Sequence, residues 1–342
     1  MRYKITIEYN GTNLLGWQRQ IDGPSVQEYL EIALSRLARQ ASTTTQQELR
    51  SKSGFGEENG DADTERKAAA YIEVREDLST GLAQQASTTT QQELCNKSGF
   101  GEENDDADTE RKAAAYTEVR EDLSTGLARQ ASTTTRFIEV QGAGRTDAGV
   151  HALGQVAHFD LERDIADWKL RDALNFHLRD LGAPVVILQV EAVSNDFNAR
   201  FSALGRGYIY RILNRRAPSV LEKDRAWWVP VPLDVEKMRQ GAKHLLGHHD
   251  FSSFRAAACQ AKSPLKTLDK LDISVHNEEI IFEVEAKSFL HHQVRNMVGT
   301  LKLVGDGHLK PEDIIEILEA KDRKAAGPTA PACGLYLSKV WY

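Results

Sequence analysis

The residues with the most evident chemical potential lie in a glycine-rich segment, 142–151, which reads GAGRTDAGVH. Its glycines let the backbone turn sharply and approach a ligand closely. Arg145 can hold a phosphate through its planar guanidinium, and Asp147 can act as a nucleophile while a nearby cation keeps it ionised. On spacing alone, a tight surface turn with an ordinary Arg–Asp pair explains the segment equally well.

A nucleotide-binding loop is the competing interpretation of this segment, because a strand precedes its GxG. The third glycine of GxGxxG would fall at position 147, which is Asp, and the following GQVAHF is strand-like rather than helical. No Lys-Ser/Thr pair follows, so the segment does not match a P-loop either. An enzyme that uses a nucleotide cofactor is therefore only a distant alternative.

Basic and aromatic residues alternate in a second segment, 195–228, which holds seven Lys or Arg, three acids and six aromatic residues. Cations that follow a phosphate backbone, with rings on which splayed bases stack, are typical of RNA-binding surfaces. For most of these residues, however, buried rings and solvated charges are the simpler interpretation. Within its strand-like GYIYRIL, Tyr208 and Tyr210 share one face.

A third segment, FLHHQVRNMVG at 289–299, combines an apolar stripe with two histidines and an arginine. On a helix, His292 and Arg295 would share a face because they are three residues apart. An arginine beside a buried stripe is rarely left unpaired. Neither this adjacent histidine pair nor the other pair in the chain has HExxH spacing, so the sequence predicts no metal site.

The elements that must position these residues follow from hydrophobic periodicity. Strands are predicted at 2–9, 137–140, 155–159, 184–190, 207–213, 268–275, 280–286 and 335–340, and helices at 26–38, 165–178, 235–246, 289–304 and from Pro311 onward. Ser25 and Glu28 form a capping box before the first helix. This order predicts an α+β fold with two sheets, each covered by helices on one face.

Two copies of a 45-residue sequence, at 38–82 and 83–127, interrupt these elements, and a third copy stops at Thr135. The two copies differ at only five positions and are poor in apolar residues. A solenoid needs about three repeats that bury apolar faces on one another. We therefore interpret 38–127 as a structurally passive, polar insertion with one helix in each copy.

Charge divides between the repeat and the rest of the chain. The 342 residues carry a net charge of −7, of which the two copies contribute −9, so the other 252 residues carry +2. The acidity that argues against a nucleic-acid partner therefore belongs to the insertion. No run approaches the roughly 20 apolar residues of a membrane span. The N-terminus does not resemble a signal peptide, and three scattered cysteines suggest no disulfide framework, so the predicted compartment is the cytosol.

Six segments, taken in order, resemble the TruA-type tRNA pseudouridine synthases: GAGRTDAGVHA, GQVAHF, FNARFSALGRGYIYRI, DFSSF, HHQVRNMVG and GLYL. The resemblance covers the 252 residues outside the repeats. It implies two ferredoxin-like or RRM-like halves, 1–37 with 128–200 and 201–342, whose antiparallel sheets form a basic cleft. The insertion at 38–127 would then be a polar, partly helical and partly disordered addition. The resemblance also implies a homodimer.

The resemblance further implies isomerisation of uridine to pseudouridine at positions 38, 39 and 40 of the tRNA anticodon stem-loop, without cofactor or metal. Asp147 matches the family's catalytic aspartate, and Arg295 matches the basic residue that pairs with it. Tyr208 matches the substrate-contacting tyrosine, Arg145 the arginine beside the aspartate, and Leu335 an apolar residue of the uracil pocket. The alternative is a tRNA-binding protein or RNA chaperone that has lost turnover through the insertion.

Overall fold

The structure of the chain, a computed structural model, describes residues 1–38, 138–257 and 259–342. The predicted insertion lies almost wholly outside the described residues. The strands in these ranges are β1 Arg2–Tyr9, β2 Gln141–Gly142, β3 His151–Asp160, β4 Val185–Val193, β5 Gly205–Asn214, β6 Trp227–Val229, β7 Gly247–Asp250, β8 Leu265–His276, β9 Glu279–Ala286 and β10 Leu335–Trp341. The helices are α1 at 26–38, α2 Asp167–Asp180, α3 Val235–Lys243, α4 Gln293–Gly305 and α5 Asp313–Ala320. None of these helices has both the length and the apolarity needed to cross a membrane.

One sheet of ten strands connects the two halves of the described chain. Its main order is β4-β1-β3-β10-β5-β9-β8-β7, with β2 beside β3 and β6 beside β5. Strand β10 is parallel to β3 and antiparallel to β5. It therefore satisfies backbone groups on an edge of each half. The predicted α+β class is confirmed, whereas the prediction of two separate sheets is wrong because the last strand joins them.

Two large hydrophobic clusters pack against the sheet, one in each half of the described chain. The N-terminal cluster includes apolar residues of β1, β3, β4, α1 and α2, and the C-terminal cluster includes those of β5, β8, β9, α3, α4 and α5. The alternation predicted for β1 is confirmed, since Tyr3, Ile5, Ile7 and Tyr9 are buried. Tyr208 packs against both clusters, which places it where the two halves meet.

The strand predicted at 137–140 is not formed by residues 138–140, and residue 137 lies outside the described residues. Val140 is buried, but side chains of α1 satisfy its backbone. Its N–H donates to Glu31 Oε1 at 3.4 Å, and its carbonyl accepts from Gln27 Nε2 at 3.2 Å. Strand pairing therefore begins only after this contact, at β2.

Helix α4 begins at Gln293, four residues later than predicted. The preceding His292 has left-handed backbone angles, φ 63° and ψ 6°, so it cannot belong to the helix. The Gln293 side chain accepts the backbone N–H of Leu290 at 2.8 Å, which closes a turn over 290–293. The two histidines thus lie on a turn before the helix, and Arg295 lies in its first turn.

Glu31, on α1, is a buried carboxyl whose protonation should affect stability. Burial raises its pKa from 4.5 to about 7, although hydrogen bonds from Val140 and Gln27 and the charge of Arg19 oppose the shift. Because the folded state holds the proton more tightly than the unfolded chain, this group favours folding at low pH. That contribution is lost as the pH rises from about 4.5 to 7.

The Glu31→Gln variant should therefore be more stable than the parent at pH 8, by about 2–3 kcal/mol, because it removes a buried charge. Near pH 4.5 the two proteins should unfold almost alike, since Glu31 is neutral in the folded state and only about half-ionised in the unfolded chain. Urea unfolding at both pH values measures the difference, and the low-pH pair is the control. A stability difference that does not change with pH would contradict this explanation.

Candidate active site

Asp147 lies in the loop between β2 and β3. A second loop, residues 10–17, packs against this loop and is called the supporting loop. Two hydrogen bonds connect the two loops, from Trp17 N–H to the Thr146 carbonyl at 3.1 Å and from Gly149 N–H to the Leu14 carbonyl at 3.2 Å. A third joins the Asp147 loop to the end of β1, between the Tyr9 and Thr146 hydroxyls at 2.8 Å. The position of Asp147 therefore depends on residues more than 120 positions earlier in the sequence.

Two glycines of the supporting loop permit this close packing. A Cβ at Gly11 would lie 2.1 Å from the Val150 carbonyl oxygen. A Cβ at Gly16 would lie 2.4 Å from the Thr146 carbonyl oxygen, and Gly16 also has a φ of +95°. Both contacts are with backbone atoms, so neither neighbour can simply rotate away. The sequence indicates a turn at Gly11 but marks neither glycine as part of the site.

Three basic side chains converge on the Asp147 carboxylate. Arg295 Nη1 lies 3.1 Å from Oδ2, His292 Nε2 lies 3.2 Å from the same oxygen, and His291 Nε2 lies 3.2 Å from Oδ1. The guanidinium contact is a charge-assisted hydrogen bond. The side chains of Asp147 and Arg295 are only 25% and 15% exposed, so little water screens this pair.

Arg295 is oriented by a second contact as well as by the carboxylate. Its Nε donates to the Ala330 carbonyl at 2.8 Å, and the Ala330 N–H donates back to the Arg295 carbonyl at 3.1 Å. The segment that carries Ala330 is in turn fixed by Arg323, which donates to the Gly327 carbonyl at 2.9 Å and to Thr329 Oγ1 at 3.0 Å. The guanidinium therefore reaches Asp147 from a preformed position.

Tyr208, on β5, lies within the electrostatic range of this site. Its ring meets Phe289 edge to face, with centroids 5.2 Å apart. Burial raises the pKa of the Tyr208 phenol to about 12, and the charge of Asp147 adds to the shift. The hydroxyl is therefore protonated at neutral pH, when it can donate a hydrogen bond but is a poor proton acceptor.

Arg145 and Leu335 have different environments. Arg145 is exposed, and within the described residues no hydrogen bond or ion pair links it to Asp147 or to another side chain. Leu335 is buried at the start of β10, opposite Tyr210 on β5. The structure thus places Arg295 on Asp147 and Tyr208 near its charge, but it shows no direct contact from Asp147 to Arg145 or Leu335.

Several members of the basic and aromatic segment are occupied within the fold. Tyr210 is fully buried, and Arg211 binds Glu279 at 2.6 Å. By contrast, Phe201 is 80% exposed and the Arg200 guanidinium lies over its ring, 5.5 Å from the centroid. The simpler interpretation, with buried rings and solvated charges, is therefore wrong for Phe201, and the Arg200–Phe201 pair lies on the surface.

Arg206 connects that surface pair to the Asp147 loop. Its guanidinium donates to the Arg200 carbonyl at 2.8 Å and to the Ala143 carbonyl at 2.9 Å. Ala143 lies at the start of the loop that carries Asp147. An exposed arginine and an aromatic ring are thereby held beside the loop that contains Arg145 and Asp147.

Helical spacing and the HExxH pattern do not reveal that His291 and His292 belong to the site. The two rings reach Asp147 from a turn and lie 3.9 Å apart between centroids. The available signal was the histidine pair directly before an apolar helix. Only the fold brings that pair to a carboxylate 144 residues earlier in the chain.

Comparison with known proteins identifies relatives of this chain. Residues 242–342 match the family model described as tRNA pseudouridine synthase. A curated tRNA pseudouridine synthase A from Rhodospirillum centenum is 41% identical over 341 residues, covering 100% of this chain and 99% of the relative. One from Paramagnetospirillum magneticum is 62% identical over 203 residues, covering 59% of this chain and 78% of the relative. The chain belongs to the tRNA pseudouridine synthase A family, a family of isomerases.

Proposed function

We propose that this chain isomerises uridine to pseudouridine at positions 38–40 of the tRNA anticodon stem-loop, with Asp147 as the nucleophile. The observation that carries the proposal is the contact at 3.1 Å between the Asp147 carboxylate, in the loop before β3, and the guanidinium of Arg295, in the first turn of α4. Its loop has the sequence GRTDAGVH, and the chain belongs to a family of tRNA pseudouridine synthases.

The reaction is an isomerisation, so uridine and pseudouridine have the same atoms, and it requires a nucleophile to break the N1–C1′ bond. After the target uridine leaves its stack, at a cost of a few kcal/mol, Asp147 attacks either C1′ of the ribose or C6 of the uracil. The N1–C1′ bond breaks, the uracil turns, and C5 bonds to C1′. The C5 proton then leaves to solvent while N1 gains a proton, and Asp147 is released as a carboxylate.

The other site residues have complementary roles in this proposal. Arg295 provides the charge that balances Asp147 in a partly dry site. Arg145, exposed and without an acidic partner among the described residues, holds phosphates or fills the space left by the flipped base. Tyr208 and Leu335 form the walls that retain free uracil. The pKa of about 12 makes Tyr208 a stacking surface or a donor, and a water molecule carries away the C5 proton.

For the wider context, we propose a cytosolic homodimer in which 1–37 with 128–200 and 201–342 form two halves around a basic cleft that binds tRNA. The two hydrophobic clusters support the division into halves. The exposed Arg145 and the Arg200–Phe201 pair, which Arg206 links to Ala143 at the start of the Asp147 loop, supply cations and a stacking ring. Cys259 and Cys333 are free thiols, as expected in a reducing compartment.

The test of this function is release of tritium from tRNA labelled at C5 of uridine. Turnover expels the C5 hydrogen, so labelled water should accumulate, and mapping of the product should place pseudouridine at positions 38–40. Binding of tRNA without release would favour the alternative, an RNA-binding protein that has lost turnover. Release from a tRNA that lacks uridine at 38–40 would contradict the proposed specificity.

Deletion of 38–127 should leave folding and catalysis intact if that segment is an insertion into the family fold. The Paramagnetospirillum relative is the shorter chain, since one alignment covers 59% of this protein and 78% of that one. We expect turnover within about threefold of the parent and a lower KM for tRNA, because nine net negative charges are removed. Thermal unfolding and kinetics at two salt concentrations measure this.

Removal of one copy only, 83–127, is the matched control and should give an intermediate KM. The difference between the deletion proteins and the parent should shrink at high salt, because salt screens the repulsion between these acids and phosphates. Loss of folding or of turnover in either deletion protein would show that the segment is part of the working enzyme.

A further inference from the structure

The histidine pair beside Asp147 creates a set of ligand atoms suited to a metal ion. Asp147, His291 and His292 each offer one ligand atom, and these atoms all lie within 4.8 Å of one another. In the described part of the chain, this is the one group of three His, Cys, Asp or Glu residues with that property. The side chains are 25–40% exposed, so an ion can enter from solvent.

The spacing of these atoms agrees with tetrahedral coordination. Zinc binds nitrogen and oxygen ligands at roughly 2.0–2.1 Å, which separates two ligands of a tetrahedron by roughly 3.3–3.4 Å. His291 Nε2 lies 3.2 Å from Oδ1, and His292 Nε2 lies 3.2 Å from the other carboxylate oxygen, Oδ2. Small rotations of the side chains would therefore admit an ion, and three protein ligands would leave a fourth position for water.

The left-handed backbone of His292 fixes the direction of the two imidazole rings. Its φ of 63° is uncommon for a residue other than glycine, and such conformations concentrate at functional sites. This turn directs two consecutive imidazoles to the same carboxylate, with their rings 3.9 Å apart. Arg295 opposes cation binding because it lies 3.1 Å from Oδ2. The ion would therefore bind through Oδ1 and the two histidines, with the His292 ring turned away from Oδ2, which it contacts at 3.2 Å.

We propose that Asp147, His291 and His292 form a binding site for a borderline transition-metal ion, zinc above all, and that occupancy inhibits the enzyme. Two imidazoles and one carboxylate favour Zn²⁺ or Co²⁺, whereas Mg²⁺ and Ca²⁺ prefer all-oxygen sites. The Mg²⁺ that accompanies tRNA therefore does not compete. The inhibition rests on the proposed role of Asp147, since a coordinated carboxylate cannot attack the uridine, but metal binding does not depend on that role.

The binding test uses the untagged full-length chain and Co²⁺, whose visible absorption reports tetrahedral coordination. One strongly absorbing Co²⁺ per chain is expected, displaced by Zn²⁺ and not by Mg²⁺. The variants His291→Ala and His292→Ala should each weaken binding at least tenfold. His248→Ala, in the other adjacent histidine pair, is the matched control and should bind Co²⁺ like the parent. Equal binding in all four proteins, or no tetrahedral absorption in the parent, would overturn the site.

The activity test asks whether the same site controls turnover. Zn²⁺ should stop tritium release from C5-labelled tRNA at the concentrations that displace Co²⁺, and a chelator should restore it. Inhibition by Zn²⁺ that is equally strong in His291→Ala, at concentrations that leave its site empty, would overturn the inhibitory role. A protein that binds Co²⁺ as expected but releases no tritium without zinc would refute the proposed function and leave the metal site standing.

Discussion

Replacement of Asp147 with asparagine is expected to reduce tritium release from C5-labelled tRNA by at least about 10⁴-fold. An amide oxygen is a far weaker nucleophile than a carboxylate, and loss of a covalent nucleophile commonly costs this much or more. The substitution keeps the shape of the side chain and one oxygen for the Arg295 contact. The defect should therefore appear in kcat, with little change in the KM for tRNA.

A matched control is available in another aspartate that pairs with an arginine. Asp160 receives two hydrogen bonds from Arg2, at 2.8 and 2.7 Å, at the end of β3 farthest from the Asp147 loop. The Asp160→Asn variant also loses an Asp–Arg ion pair, although a more exposed one, so it should lose some stability and keep its turnover. Turnover within tenfold of the parent in Asp147→Asn would show that this carboxylate is not the nucleophile.

Local periodicity accounts for the parts of the fold that the sequence predicts well. In β1, every second residue from Tyr3 to Tyr9 is buried, which is the pattern the sequence shows directly. The start of α1 is set by Ser25, whose hydroxyl accepts the Glu28 backbone N–H at 3.3 Å. Both features depend on residues close together in the chain.

Long-range pairing accounts for what could not be predicted. The separate sheets expected from element order become one because β10 lies between β3 and β5, and no local pattern specifies its neighbours. The strand expected at 137–140 is replaced because Glu31 and Gln27, more than 100 residues earlier, bind the Val140 backbone. Competition of this kind between side chains and strand pairing is decided only by the assembled fold.

In the candidate site, too, some residues are predicted by the sequence and others only by the assembled fold. Asp147 and Arg295 follow from motif and resemblance, and their contact at 3.1 Å agrees with the expected pairing. The sequence did not predict that His291 and His292 lie beside Asp147. Its apolar spacing indicates a helix through both residues, whereas His292 has left-handed backbone angles and α4 begins after it. The supporting loop at 10–17 carries no chemical motif, and its importance is visible only from the close packing of its glycines against the Asp147 loop.

That packing makes Gly16 a more sensitive position than a glycine inside the motif itself. In Gly16→Ala, the new methyl group would lie 2.4 Å from the Thr146 carbonyl oxygen and 2.9 Å from the Asp147 carbonyl carbon, at a backbone φ of +95°. Strain and displacement together should cost about 2–4 kcal/mol of stability. Because a shift of about 1 Å at a reacting group can cost about 100-fold in rate, kcat should fall by that order.

Gly144→Ala provides the comparison, since Gly144 lies within GAGRTDAGVH and a Cβ there would meet nothing within 4 Å. Its thermal unfolding should match that of the parent, and any effect should be on the KM for tRNA rather than on kcat. Unfolding curves and tritium-release kinetics for the two variants decide the matter. If Gly144→Ala lowers stability and kcat more than Gly16→Ala does, the motif glycine, and not the supporting loop, controls the position of Asp147.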